Sequence, residues 1–377
     1  MKLLAACSAI CVAALGASAL SARTSDAVSQ GAPAAAAETR APVTPRELRS
    51  LCMDALGRPP TSAERARWSA LSAHELVDTL VPSAEFWQRW YEEQLYYFLL
   101  INNFRPQTER LAACPADLQA GKLDVRAAIH RIGLSSSFEQ RNPGADTFVT
   151  VVLEQLAGLD VQRSVRELAI GKKVYDGAPG TFLGRAGATQ ADIVKIAVES
   201  AGFEQHFLAR EYARLVHTRA EPKELAACVA RFHADPRVYP ELVREWLSSP
   251  AYAQRLVAGV VQENRLFVRS LYVDLLDRVP LTEEAEPLRE ALDGLADPAP
   301  LRSVIARLIL DSGKVALPAS FPAAEAPASI RNLFTRLLGR APSEVELAAF
   351  VAAAAEPDCR ASTLVYALVS SAEYARY

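Results

Sequence analysis

One helical pattern recurs along this chain, and it limits the possible folds more than any other feature of the sequence. In its clearest copy, an apolar helix pattern starts near Ile330 and ends at the segment LGRAPS, residues 338–343. Related copies begin near Leu48 and Leu271, and a fainter copy ends at Tyr252. Four matches of this length indicate an internal repeat.

Each part of the pattern has a physical reason. Gly339 suits the left-handed backbone conformation that ends a helix, and Pro342 prevents the helix from continuing. Ser343 can cap the next helix, and Glu346 completes a capping box three residues later. A third helix follows, with Leu364 on its apolar face. We therefore predict three short helices per repeat, which must pack on neighbouring repeats to bury their apolar faces.

The rest of the chain also favours helices. Sustained alternation of polar and apolar residues is missing, so we predict an all-α fold, an array of three-helix repeats around an aromatic-rich central helical region. Residues 171–187 are rich in glycine and are expected to form a loop. We expect a flexible linker at 23–44, an N-terminal helical domain at 45–256 and a C-terminal helical domain at 257–377.

Residues 1–22 have the layout of a secretory signal peptide. Lys2 precedes the apolar stretch 3–15, and the small residues 17–19 suit cleavage. A buried first helix and a lipoprotein signal ending at Cys7 are the alternatives. Later apolar runs fall short of the ~20 residues that a membrane helix needs, so the mature chain should contain no transmembrane helix. We predict an exported protein of the periplasm, the cell surface or the extracellular space.

Charge and cysteine content exclude several classes of protein. The chain has 41 basic and 44 acidic residues, so no overall basic field points to a nucleic acid. Removal of the signal would leave Cys52, Cys114, Cys228 and Cys359, enough for two disulfides in an oxidising compartment. Small buried thiols are the alternative. No C-x-x-C pair occurs, which argues against a zinc, dithiol or covalent haem site.

Several segments resemble a known pair of families. The segments are residues 53–61, 76–90, 165–168, 179–182 and 333–374. They are similar to secreted domains of unknown function that occur, often beside cytochrome c modules, in planctomycetes and related bacteria. The repeats also resemble a short helical repeat of bacterial surface proteins. Since the haem-attachment motif is missing here, the resemblance implies an electron-transfer role only through a partner.

The aromatic-rich segment after the first repeat is the main candidate for binding. Its tyrosines and tryptophans could stack on sugars or anchor a protein partner. They are spread around the helix, however, and a helix that is apolar on all sides is commonly a core helix. The candidate binding residues are Trp87, Trp90, Tyr91, Tyr97, Asn103, Arg105, Lys172 and Lys173.

Signatures of catalysis are weak. His206 and His217 would lie about 16 Å apart along a helix, too far for one metal ion. The sequence has no G-x-S-x-G elbow and no phosphate-binding glycine loop, and 135–137 is better explained as a turn and helix cap. We therefore predict no catalytic residue, metal or cofactor.

The leading hypothesis is an exported, non-catalytic helical scaffold or binding protein. Its partner would be another envelope or secreted protein, with a polysaccharide as the alternative and no nucleic acid. One other hypothesis is a haem-free accessory subunit of a periplasmic redox or polymer-degrading system. The last is a carbohydrate-binding module that uses the aromatic helix.

Overall fold

The computed structural model describes residues 41–101 and 105–377, and their fold is all-α, as predicted. Twenty-one α-helices occur in these residues. The first repeat and the aromatic helix consist of α1 Pro45–Leu56, α2 Ser62–Trp68, α3 Ala73–Leu80 and α4 Ala84–Leu99. A segment of shorter helices follows, with α5 Glu109–Ala112, α6 Cys114–Gln119, α7 Val125–Gly133, α8 Ser136–Arg141, α9 Gly144–Val151, a π-helical turn Val152–Leu156, α10 Val165–Tyr175 and α11 Gln190–Val198.

The other three repeats fill the C-terminal half of the chain. The second repeat consists of α12 Ala201–Val216, α13 Pro222–Ala234 and α14 Tyr239–Leu247, with a 3-10 turn Pro236–Val238 before α14, and α15 Pro250–Ala258 follows it. The third consists of α16 Asn264–Leu276, α17 Thr282–Asp293 and α18 Ala299–Asp311. The fourth consists of α19 Ala326–Leu338, α20 Glu344–Ala354 and α21 Ala361–Val369. The predicted unit of three short helices is therefore confirmed.

A left-handed residue joins the first and second helices of every repeat. These residues are Gly57, His217, Asp277 and Gly339, with φ between 54° and 69°. Glycine adopts this conformation without strain, whereas histidine and aspartate do so less often. All four repeats therefore have a left-handed residue between their first two helices. The sequence pattern predicts this residue only in the two repeats where it is glycine.

An arginine next to the left-handed residue holds three of these joints together. Arg340 donates to both carboxylate oxygens of Glu346 at 2.8 Å, and Glu346 accepts the backbone N–H of Ser343 at 2.8 Å. The same bidentate pair joins Arg58 to Glu64 in the first repeat and Arg278 to Glu284 in the third. The predicted capping box at Ser343 and Glu346 is thus confirmed, with the arginine as an additional partner of the glutamate.

Serine also makes a recurring corner between consecutive helices. Its Oγ accepts the backbone N–H of an aromatic residue three positions later, and that aromatic side chain is buried. The pairs are Ser83 with Phe86, Ser135 with Phe138, Ser200 with Phe203, Ser249 with Tyr252 and Ser371 with Tyr374. The predicted turn and cap at 135–137 is confirmed, and Ser135, between α7 and α8, shows that the corner also occurs outside the four repeats.

The glycine-rich segment is more ordered than the sequence suggests, and the expectation of a loop over 171–187 is wrong. Gly171 lies inside α10, where an added Cβ would come within 2.4 Å of Val149. The chain then forms an antiparallel hairpin from β1 Gly180–Phe182 and β2 Arg185–Gly187, with Thr181 opposite Ala186. Close packing explains Gly171, since no larger residue would fit between the helices.

The described chain has two large apolar cores. One includes buried residues from Val43 to Leu256, and the other includes residues from Phe267 to Tyr374. Met53, Leu266 and Tyr377 form a small cluster of their own. Residues 41–377 nevertheless form one compact unit, so the division into domains at 256/257 stays a prediction.

The N-terminal predictions fall mostly outside the described residues. The signal peptide 1–22 and nearly all of the linker 23–44 lie there. The linker stays a prediction, although Val43 near its end is buried and donates its N–H to Leu71 O at 2.7 Å. Within the described ranges, no helix combines the length and apolar character needed to cross a bilayer.

Candidate binding groove

The aromatic helix α4 is a core helix at its centre. The side chains of Trp87 and Trp90 are only 5% and 1% exposed, and both rings lie against Tyr239 at 6.3 and 6.0 Å between centroids. Trp90 also donates its indole N–H to Glu211 at 3.1 Å. Both rings therefore pack in the core, as the core-packing alternative expects, and their assignment as binding residues stays a prediction.

Glu211 is the polar centre of this core. Besides Trp90, it accepts hydrogen bonds from Gln94 at 3.0 Å, from Tyr239 at 2.6 Å and from Arg214 at 3.0 Å. Burial by itself would raise the pKa of Glu211, but Arg214 and the other donors outweigh it and lower the pKa to about 2. The carboxylate is fully satisfied, so its role in this site is structural.

Two further buried carboxylates are Asp54 in the first repeat and Asp274 in the third. Each lies three residues before the left-handed residue of its repeat. Asp54 accepts the hydroxyls of Tyr252 and Tyr377, both at 2.7 Å. Asp274 accepts Arg49 and the hydroxyl of Tyr374, both at 2.8 Å. Each carboxylate thus accepts a hydrogen bond from the tyrosine at the serine corner of the next repeat. Both carboxylates therefore connect one repeat to another.

His217 also contacts the carboxylate of Asp54. Its Nε2 lies 3.0 Å from Asp54 Oδ1 and 3.3 Å from the hydroxyl of Tyr377. His206, inside α12, lies 3.3 Å from the hydroxyl of Tyr97 instead. Within the described part of the chain, no group of three or more histidine, cysteine or acidic side chains could hold a metal ion.

A groove with a volume of about 460 Å³ runs between α4 and the third repeat. We call it the arginine groove. Its cationic lining residues are Arg105, Arg265, Arg269 and Arg289. Its main apolar and aromatic lining residues are Tyr91, Leu95, Tyr96, Ile101, Val268 and Val279. Helix α16 supplies Arg265 and Arg269 four residues apart, which places both on one helix face.

Two of these arginines are neutralised by nearby acids. Arg265 forms an ion pair with Glu92 across the groove and lies 3.9 Å from Glu93. Arg289 pairs with Glu286 at 2.8 Å and also with Asp293 on its own helix. Glu92 and Glu286, which line the groove as well, are therefore occupied by their arginine partners.

Arg269 and Arg105 are less well compensated. Arg269 is 16% exposed, its nearest carboxylate oxygen is that of Glu85 at 3.9 Å, and its buried Nε has no hydrogen-bond partner. Burial lowers the pKa of Arg269 to about 10, and the guanidinium groups of Arg89 and Arg265 add to this effect. Arg105 is exposed on the rim. Excess positive charge therefore collects in this groove.

The other predicted binding residues are scattered. Tyr91 and Arg105 line the arginine groove, while Tyr97 contacts His206 and lies 3.9 Å below the guanidinium of Arg210. Lys172 pairs with Asp146 at 2.7 Å, and Lys173 is exposed on α10. Neither lysine lines the groove. Asn103 lies outside the described residues.

All four cysteines outside the signal segment are free thiols in the structure. This agrees with the alternative of unpaired thiols and not with two disulfides. Cys52, Cys114 and Cys228 are buried on helices, and Cys359 is partly buried. Burial raises the pKa of both Cys52 and Cys228, which keeps these thiols protonated. The buried cysteines therefore act as small apolar side chains.

The cationic wall of the groove is not apparent in the sequence. The four-residue spacing of Arg265 and Arg269 was the available signal, but many such pairs lie on solvated helix faces. What distinguishes Arg269 is its burial against α4, which is a tertiary contact. Comparisons of the chain with protein-family models, curated proteins and solved structures give no significant match.

Proposed function

We propose that this protein is an exported, non-catalytic helical-repeat protein that binds a partner in the arginine groove. The observation that carries the proposal is Arg269, a largely buried guanidinium with incomplete compensation, next to an apolar wall. A buried charge of this kind costs folding free energy, and a ligand that pairs with it offsets this cost when it binds. Another envelope or secreted protein is the proposed class of partner.

The buried acids elsewhere support a binding role over a catalytic one. Glu211, Asp54 and Asp274 each accept several hydrogen bonds from tyrosine, arginine or histidine groups of the protein itself. Their lone pairs are occupied by structural donors. A general acid or base needs an accessible carboxyl within reach of a substrate.

Export rests on the layout of residues 1–22, and the accessory role in a redox or polymer-degrading system rests on the sequence resemblance. Carbohydrate binding by the aromatic helix has less support, because the two tryptophans of this helix are buried in the core. Of the three hypotheses, binding of a protein partner therefore has the most support from the geometry.

Affinity capture with a matched pair of variants tests the proposal. The full chain, Arg105→Glu and Arg163→Glu would each be immobilised and exposed to envelope and secreted proteins of the host. Arg163 is the control because its side chain is 88% exposed and lies outside the groove. We expect a stoichiometric partner that Arg105→Glu loses and Arg163→Glu retains.

Two results would overturn the proposal. One is a partner that both variants retain equally, which would place binding outside the groove. The other is hydrolytic or redox turnover by the purified chain that a single substitution abolishes, because this would make the protein an enzyme.

A further inference from the structure

The arginine groove has a charge that its own residues do not balance. Arg265 and Arg289 have carboxylate partners, whereas Arg269 has an unpartnered buried Nε and a carboxylate no closer than 3.9 Å. Arg89 lies behind it and is itself paired with Glu93 and with Glu263, at 3.3 Å from the latter, so those two carboxylates are not free to compensate Arg269. A carboxylate that entered the groove would be desolvated there and would form charge-assisted hydrogen bonds.

Apolar side chains surround this charge. Tyr96, Ile101 and Val279 line the groove and are 44%, 43% and 40% exposed. Leu95 and Val268 lie deeper and are buried. Exposed apolar side chains that converge beside a positive charge are typical of an interaction site for an amphipathic ligand.

The lining favours a peptide over a sugar. Neutral polar side chains that could hydrogen-bond sugar hydroxyls are few, and Gln88 and Thr282 supply most of them. Tyr96 is the one strongly exposed aromatic ring along the described lining, so stacking surface for a saccharide is small. A volume of about 460 Å³ suits a few side chains of a peptide.

We infer that the arginine groove binds an acidic peptide segment in which a glutamate or aspartate adjoins an apolar residue. The carboxylate contacts Arg269, with Arg105 at the rim as a further cation, and the apolar side chain packs on Tyr96, Ile101 and Val279. The inference rests on the proposed function and adds to it the chemistry of the partner.

Fluorescence anisotropy with synthetic peptides tests this inference. The probe is a labelled peptide of alternating glutamate and leucine or phenylalanine, and its matched control carries glutamine in place of every glutamate. We expect the full chain to bind the glutamate peptide at least about tenfold more tightly, and this preference should shrink as salt is added.

Variants locate the contact. Arg269→Met removes the buried guanidinium but keeps a long apolar stem, and Arg105→Gln changes an exposed residue that the fold does not need. Each should weaken binding of the glutamate peptide about tenfold, while Arg163→Gln should leave it unchanged. Circular dichroism checks that each variant is folded, and Arg105→Gln keeps the test decisive if Arg269→Met unfolds.

Equal binding of the glutamate and glutamine peptides would overturn the inference, as would binding that survives both groove variants. Tighter binding of an oligogalacturonate, lost in Arg269→Met, would also overturn it and assign the groove to acidic sugars. If both probes fail while a native partner is still lost in Arg105→Glu, the ligand chemistry is wrong and the proposed function stands.

Discussion

At the scale of single residues, the choice between phenylalanine and tyrosine at the serine corners follows the buried carboxylates. Tyr252 and Tyr374 direct their hydroxyls at Asp54 and Asp274 at 2.7 and 2.8 Å. The other corners have phenylalanine and meet no such carboxylate. Since a buried hydroxyl without a partner is costly, tyrosine occurs where an acceptor is available.

The first prediction concerns this choice. Tyr374→Phe removes a hydrogen bond to a charged, buried acceptor and should lower the free energy of unfolding by about 1.5–3 kcal/mol. The control is Tyr366→Phe, which is half-buried and should cost less than about 0.5 kcal/mol. Urea denaturation of both variants measures the difference, and equal losses would contradict the role given to the hydroxyl.

The second prediction concerns pH. The folded pKa of Glu211 is lowered to about 2, against about 4.3 in an unfolded chain. The stability that its ionisation supplies is therefore complete above about pH 4.3 and is lost as the pH falls towards 2. Glu211→Gln should be less stable at pH 7 and should lose less stability between pH 5 and pH 3.

Urea denaturation at the two pH values measures this effect. Glu344→Gln is the control, because Glu344 is exposed in the first turn of α20. It should keep the acid-dependent loss of the unmodified protein. Should Glu211→Gln show the same loss between pH 5 and pH 3 as the control, Glu211 is not the group that titrates.

At the scale of helices, the left-handed joints fix how each repeat turns. Gly339 has a φ of 69°, and a Cβ there would come within 3.0 Å of the Cα of Arg46 in α1. Gly121 has a similar φ of 67° but open space around it. A substitution at Gly121 therefore measures the destabilisation from backbone strain alone. The same substitution at Gly339 adds the destabilisation from a disturbed contact with α1.

The third prediction uses this pair. Gly121→Ala should cost about 1 kcal/mol from strain alone. Gly339→Ala should cost at least about 1 kcal/mol more, because α1 must move away from the joint that precedes α20. Thermal unfolding of both variants checks the order, and an equal shift in the unfolding temperature would mean that α1 does not pack on Gly339.

Local patterns explain how far the sequence could predict this fold. The glycine, proline, serine and glutamate of LGRAPS act within a few residues, so helices and caps were predictable from the repeat. His217 and Asp277 were not, because only a few per cent of residues other than glycine adopt a positive φ, so neither residue type predicts the left-handed conformation at a given position. The groove was not predictable either, because Arg269 is buried only through its contact with α4, about 180 residues away in the sequence.

At the scale of the whole molecule, the first repeat is tied to the third by a buried ion pair. Arg49 in α1 donates to both oxygens of Asp274 in α16, at 3.1 and 2.8 Å, across 225 residues of chain. Helix α4 continues from the first repeat, and α16 belongs to the third. This contact therefore helps to set the relative position of the two walls of the arginine groove, together with the Arg265–Glu92 ion pair across it.

The end of the chain adds a second tie. Tyr377 exchanges two backbone hydrogen bonds with Val260, at 2.8 and 2.9 Å, and donates its hydroxyl to Asp54 in α1. Arg376 donates to the carbonyl of Gly259 at 3.2 Å. These contacts hold the fourth repeat against the first, so all four repeats contribute to a single body.

A double-mutant cycle on Arg49 and Asp274 tests most directly that buried carboxylate joints hold the repeats together. Arg49→Met and Asp274→Asn should each lower the free energy of unfolding by about 3–5 kcal/mol, since each leaves a buried partner unpaired. The double variant should lose at least about 1.5 kcal/mol less than the sum of the two. Losses that add to within about 0.5 kcal/mol would show that the two residues do not couple, and would contradict the account.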